Sequence, residues 1–273
     1  VSVNFLKGKI MRYLMIGFLL CVSGLTHAQT TYDHRNLRWN TLLQNNVHWV
    51  RGGLASEVDY SGFKRDEKDL TDFLDELSTV SRQEFDAWSK YQQLAFLLNA
   101  YNAFTVKLVL EHYPVKSIKD VGSIFQSPWS QAFIPLLGQT ISLDYLEHSL
   151  IRRPGVYNDP RIHFAVNCAS IGCPALRNEA FNANQLDTQL ADGQRRFLSD
   201  RTRNRFNPKT GRLELSKIFD WYGQDFAGKW GSLEKFLSLN DQLLTDEPSV
   251  RERIEQGIQL DFLEYDWSLN QSS

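Results

Sequence analysis

The sequence predicts an α+β fold, with a helix-rich N-terminal half packed on a small antiparallel or mixed sheet. Two observations carry this. Apolar residues recur at helical spacing through the first half, and in the second half short apolar or alternating runs are interleaved with helices. With 42% hydrophobic and 23% charged residues in 273, the chain has enough apolar material for a substantial core and is far from a disordered composition.

Residues 1–28 read as a signal peptide. Lys7, Lys9 and Arg12 precede an apolar run over 13–25, and Thr26-His27-Ala28 places small residues before a cleavage point at Gln29. The expected location is periplasmic or secreted, with no stable membrane anchor after cleavage, and no second apolar run reads as a membrane span. Removing 1–28 takes away three basic residues and no acidic one, which moves the net charge from −2 to −5. An acidic exported protein is a poor nucleic-acid binder, so the expected partner is an envelope component or a small molecule.

Residues 29–80 form an N-terminal helical segment and 81–273 a core domain. Helices are expected over 34–50 (Leu37, Leu42, Leu43, Val47) and 66–79 (Leu70, Phe73, Leu74, Leu77), with an extended connection over 58–63. Ser81 and Glu84 have capping-box spacing. The main helix runs over 89–112 and stops before Pro114. Asn99 and Asn102 lie inside it at i and i+3, where two weak helix formers among Leu, Phe and Tyr point to buried amides with assigned partners. A hairpin is expected over 133–143, with Gly138-Gln139 at its turn. Asp144 would cap a short helix carrying Glu147 and His148. A buried strand is expected over 161–168, a helix over 184–198, a strand over 212–216, helices over 232–239 and 248–257, and a final strand over 259–267.

The chemistry concentrates in Arg161-Ile-His-Phe-Ala-Val-Asn-Cys-Ala-Ser-Ile-Gly-Cys-Pro-Ala-Leu176. Beyond the leader, Cys168 and Cys173 are the only cysteines. A cysteine nucleophile needs a base and a donor for the attacked carbonyl. Cys168 at a loop mouth supplies the nucleophile, His148 or His163 the base, and Asn167 and Asn99 polarising or orienting groups. On a regular strand His163 and Cys168 point to opposite faces, which favours His148. The competing reading is a Cys168–Cys173 disulfide, permitted by export. Trusted zinc spacings are absent, so no metal or cofactor is expected. Asp220, Asp225, Asp261, Glu264 and Asp266 beside Trp221, Tyr222, Tyr265 and Trp267 suit a sugar site. Asn102, Glu147, Asn167, Asp220, Tyr265 and Asp266 are the binding candidates.

Four stretches resemble a bacterial and plant family called domain of unknown function 547: Leu97-Leu-Asn-Ala-Tyr-Asn-Ala103, Ile141-Ser-Leu-Asp-Tyr-Leu-Glu-His148, Asp159-Pro-Arg-Ile-His-Phe-Ala-Val-Asn-Cys-Ala-Ser-Ile-Gly-Cys-Pro174 and Tyr265-Asp-Trp-Ser-Leu-Asn270. At fold level the resemblance implies a relation to papain-like and transglutaminase-like cysteine enzymes. In those a cysteine opens a long helix and a histidine lies on a following strand. Here the long helix carries Asn99 and Asn102 and no cysteine. The function expected is a thiol-dependent hydrolase or acyl transferase on a cell-envelope substrate. Its rival is a non-catalytic envelope-binding module stapled by Cys168–Cys173.

Overall fold

A helix buried on every side organises the chain. In the computed structural model, which describes residues 32–122 and 126–272, this helix, α5 (Lys90–His112), has 17 of its 23 residues buried. Its start is set by a reciprocal capping box: Ser89 Oγ accepts from the Gln92 N–H at 3.3 Å, and Gln92 Oε1 accepts from the Ser89 N–H at 3.0 Å. By length and composition this helix is apolar enough to cross a membrane, where the sequence reading found no second such run, but 94% of its apolar window is buried inside the protein. The expected signal peptide lies outside the described residues.

Around it the chain runs α1 (Leu37–Asn46), β1 (Val47–Val50), β2 (Ala55–Val58), α2 (Tyr60–Arg65), α3 (Glu67–Thr79), α4 (Arg82–Ala87) and α5. The single helix expected over 34–50 therefore ends at Asn46, and Val47-His-Trp-Val50 pairs antiparallel with β2. The run expected as extended over 58–63 instead turns helical at Tyr60, because Asp59 Oδ1 accepts from the Gly62 N–H at 2.8 Å. Helices α1, α3 and α5 bury one continuous core that includes Trp39, Phe73, Leu77 and Leu98, so the 29–80 segment shares its interior with the core domain.

The hairpin forms, from β3 (Ile134–Leu136) and β4 (Gln139–Ile141), but its turn is Leu137-Gly138, both in the left-handed region, and Gln139 pairs with Leu136 instead of turning. Tyr145–Ile151 is a π-helical turn. Asp144 does not cap it: its own backbone is already helical, and Ser142 Oγ accepts the Tyr145 N–H at 3.1 Å instead. No strand forms over 161–168. Asp159 Oδ1 accepts from the Arg161 N–H at 3.1 Å and Pro160 occupies the first helical position, so Pro160–Phe164 winds into a 3₁₀ turn.

The remainder is α6 (Leu186–Ser199), β5 (Arg205–Asn207), β6 (Arg212–Leu215), α7 (Lys217–Trp230), α8 (Leu233–Ser238), α9 (Asp241–Leu244), α10 (Pro248–Glu255) and β7 (Leu260–Phe262). No helix is expected over 217–230 from the sequence, yet α7 forms there, with Ser216 Oγ accepting from the Ile218 N–H. Its Phe219 and Phe226 join Phe164, Phe197 and Phe236 in a second, aromatic core. The fold is α+β. Among the described residues the strands make two hairpins and one three-stranded mixed sheet in the order β5-β6-β7, with β6 and β7 parallel. The strand expected over 259–267 is confined to β7. Beyond it, extended backbone holds the cysteine loop: the Ser268 and Asp266 carbonyls accept from the Ile171 and Gly172 N–H groups, each at 2.8 Å.

Candidate active site

Cys168 and Cys173 face each other at disulfide distance, with Cα atoms 6.2 Å apart. The loop between them is shaped by named contacts. Ala169 adopts a left-handed backbone with φ 63°, a conformation that costs a non-glycine residue about 1 kcal/mol. The Ala169 N–H is held there by Asn167 Oδ1 at 2.9 Å. Gly172 has no alternative: a Cβ would sit 2.9 Å from three atoms of the Tyr265 ring. Arg203, buried with Asp200, donates to the carbonyls of Ile171 and Cys173 and so fixes the far side of the loop.

The sulfurs meet hydroxyl donors. Tyr265 OH lies 3.2 Å from Cys168 Sγ and 3.1 Å from Cys173 Sγ, and Ser170 Oγ lies 3.2 Å from Cys168 Sγ. The Cys168 N–H donates to Cys173 Sγ at 2.8 Å. Burial pushes the Tyr265 hydroxyl well above its ordinary pKa, which keeps it a donor. Cys168 is half-buried and Cys173 buried.

Both cysteines line a pocket of about 260 Å³, which His163, Glu147 and His148 also line. Because 160–164 is a 3₁₀ turn, the alternation that would send His163 away from Cys168 does not operate. The His163 ring is buried, stacks on Tyr222 with centroids 4.0 Å apart, and places Nε2 2.8 Å from Asp225 Oδ2. Asp225 also accepts two hydrogen bonds from Arg152, at 2.8 and 3.0 Å. Burial opposes charge on Asp225, but hydrogen bonds from His163 and Arg152 outweigh it and hold the carboxyl well below its usual range. Burial likewise lowers the His163 pKa, against the pull of Asp225, so the imidazole is neutral near pH 7. A neutral imidazole oriented by an ionised carboxylate is the arrangement a general base requires.

The sequence candidates divide cleanly. Cys168, Cys173, His163, His148, Glu147 and Tyr265 line the pocket; Asn99, Asn102, Asn167, Asp220 and Asp266 do not. His148 is exposed, with Nδ1 2.7 Å from an Arg152 guanidinium nitrogen. Asn99 both donates to and accepts from the Phe181 backbone at 2.9 Å. Asn102 donates to the Ala165 carbonyl at 3.0 Å and accepts from the Asn167 N–H at 2.9 Å. Asn167 spends its amide on the Pro174 carbonyl at 2.7 Å. Exposed Asp220 pairs with Lys217 at 2.8 Å, and exposed Asp266 accepts from the Ser268 N–H at 2.9 Å. His163 sits on no strand, so the papain-like order of helix cysteine and strand histidine is not reproduced here. Among the described residues no three His, Cys, Asp or Glu side chains group as metal ligands.

Sequence reasoning missed two roles. Asp225 reads only as one of several carboxylates near aromatics, whereas it is the partner of His163; Arg152 has no sequence signal at all. The helical spacing of Ile218, Phe219, Tyr222 and Phe226 contains the missing clue, since it puts Tyr222 and Asp225 on a helix with a buried face.

A family model described as "Protein of unknown function, DUF547" matches residues 85–198. The match contains three of the four resembling stretches; Tyr265–Asn270 falls beyond it. No curated protein and no solved structure matches the chain.

Proposed function

We propose, for a chain whose residues 85–198 belong to the DUF547 family, a thiol-dependent acyl hydrolase or transferase acting on a cell-envelope substrate after export. One observation carries this reading: a neutral His163, fixed by Asp225 at 2.8 Å, lines the same pocket as Cys168. The disulfide is then the resting, protected form. A dithiol reductant releases Cys168, His163 takes its proton, and the thiolate attacks an acyl carbonyl. The leaving group departs with the proton held by His163. The thioester left on Cys168 passes its acyl group to water or to an acceptor nucleophile. Tyr265 and Ser170, both within hydrogen-bond reach of the sulfur, supply donors to the developing charge.

The second reading, a non-catalytic envelope-binding module, is favoured by the disulfide itself, which ties up both sulfurs in the resting protein. One experiment separates them. Hydrolysis of a p-nitrophenyl ester by the mature protein is expected only with dithiothreitol. Cys173→Ala is expected to be active without it, and Cys168→Ser inactive in either condition. A module would show no turnover from any of these proteins, and on reduction would lose the stability a native staple contributes, about 2–5 kcal/mol.

A further inference from the structure

We propose that this pocket selects ligands bearing an ammonium group, with Glu147 as the counter-charge and Trp129, Trp221, Tyr265 and Trp267 as the wall on which the rest of the ligand stacks. The inference rests on the reading of the pocket as a substrate site but does not depend on thiol chemistry.

Three observations support it. First, Glu147 is 7% exposed and lines the pocket. It accepts from the Tyr222 hydroxyl at 2.9 Å, and its nearest basic atom among the described residues is His148 Nδ1 at 3.9 Å. Arg152, the closest guanidinium by sequence, is taken by Asp225. A buried carboxylate held by a neutral donor, with an imidazole at 3.9 Å and no lysine or arginine ion pair among the described residues, has room for a further counter-charge, which an incoming cation supplies. Second, among the described residues the lining contains two carboxylates, Glu147 and Asp144, and no lysine or arginine. Burial and the neighbouring Glu147 charge raise the Asp144 pKa, although His148 partly offsets this. Third, the wall is aromatic and continuous. Tyr265 lies 4.5 Å from Trp267 and 4.9 Å from Trp221 between ring centroids, and Trp129 lies 5.6 Å from Trp267. Two rings of the pocket lining already take cations of the protein itself: Lys119 Nζ is 4.8 Å from the Trp267 centroid, and the Arg152 guanidinium 4.8 Å from that of Tyr222.

The carboxylates and aromatics also suggest a sugar, but the lining argues against one. A carbohydrate presents many hydroxyls that need donors and acceptors together; among the described residues the lining has no amide, serine, threonine, lysine or arginine side chain, and the Tyr222 and Tyr265 hydroxyls are already engaged by Glu147 and the sulfurs. An ammonium needs acceptors and π faces, which are what the wall offers.

The test uses the oxidised mature protein, with tryptophan fluorescence as the readout because three tryptophans line the site. The probes are 2-phenylethylammonium, its neutral counterpart 2-phenylethanol, and N-acetylglucosamine. The ammonium is expected to bind at least about tenfold more tightly than the alcohol. That preference should vanish in Glu147→Gln and persist in Asp220→Asn. Equal binding of ammonium and alcohol by the unaltered protein, or tighter binding of the sugar, overturns the proposal whether or not the Glu147 variant folds. So does an undiminished preference in a Glu147→Gln protein with a native circular dichroism spectrum. Repeating the titration with Cys168→Ser separates the two proposals: ester hydrolysis that persists in this variant, with the ammonium preference retained, sinks the thiol reading alone.

Discussion

The two sides of the 161–174 segment treat buried polar groups in opposite ways. On the side facing α5, polar groups are matched. Asn102 bridges Ala165 and Asn167, Asn99 closes a two-bond ring with Phe181, and Asn167 and Asn270 meet at 3.3 Å. On the pocket side Glu147 has no lysine or arginine partner among the described residues, His163 is kept neutral, and the two sulfurs collect hydroxyl donors. The first pattern holds a backbone in place. The second leaves charge and reactivity for something that arrives. Buried polarity alone does not mark a functional residue; incomplete pairing at a cavity wall does.

The largest effect that sharpens this contrast is expected at Asn102. Asn102→Ala orphans the Asn167 N–H and the Ala165 carbonyl inside the core, at about 1–3 kcal/mol each. Denaturant titration should show a loss of about 3 kcal/mol. Next comes the pH dependence of stability. The folded protein holds His163 below its ordinary pKa, so the unfolded chain binds the extra proton first. Stability should be full above about pH 6.5 and fall as the solution is acidified through that value. Asp225, also depressed in the fold, adds a further loss as pH drops below about 4. Thermal melts across this range check both, and His163→Gln should flatten the upper part of the slope. The smallest effect belongs to Glu147→Gln, which keeps an acceptor for the Tyr222 hydroxyl and should change stability by less than about 1 kcal/mol in either direction. A loss as large as that of Asn102→Ala would erase the distinction between the two sides.

How much of this was legible in the sequence depended on range. Helix α5 announced itself through Ser89, its apolar run and Pro114, all local signals. The 161–168 run did not: Ile-His-Phe-Ala-Val is apolar enough for a strand or a buried helical turn, and periodicity cannot separate the two over so few residues. Asp159-Pro160 ahead of it decides for the turn. The cysteine pair was legible as a place and as two alternatives, thiol or staple. The His163–Asp225 and Glu147–Tyr222 contacts span 62 and 75 residues. No local pattern encodes such pairs, and they exist only because α7 packs against the 3₁₀ turn and the π-helical turn.

The central claim is that His163, oriented by Asp225, activates the Cys168 thiol. The most direct measurement is the pH profile of iodoacetamide alkylation at Cys168 in Cys173→Ala, with and without His163→Gln. An apparent thiol pKa at least about one unit below the ordinary value near 8.5, restored to about 8.5 by His163→Gln, is the expected result. A thiol that titrates at or above 8.5 in both proteins would contradict the account.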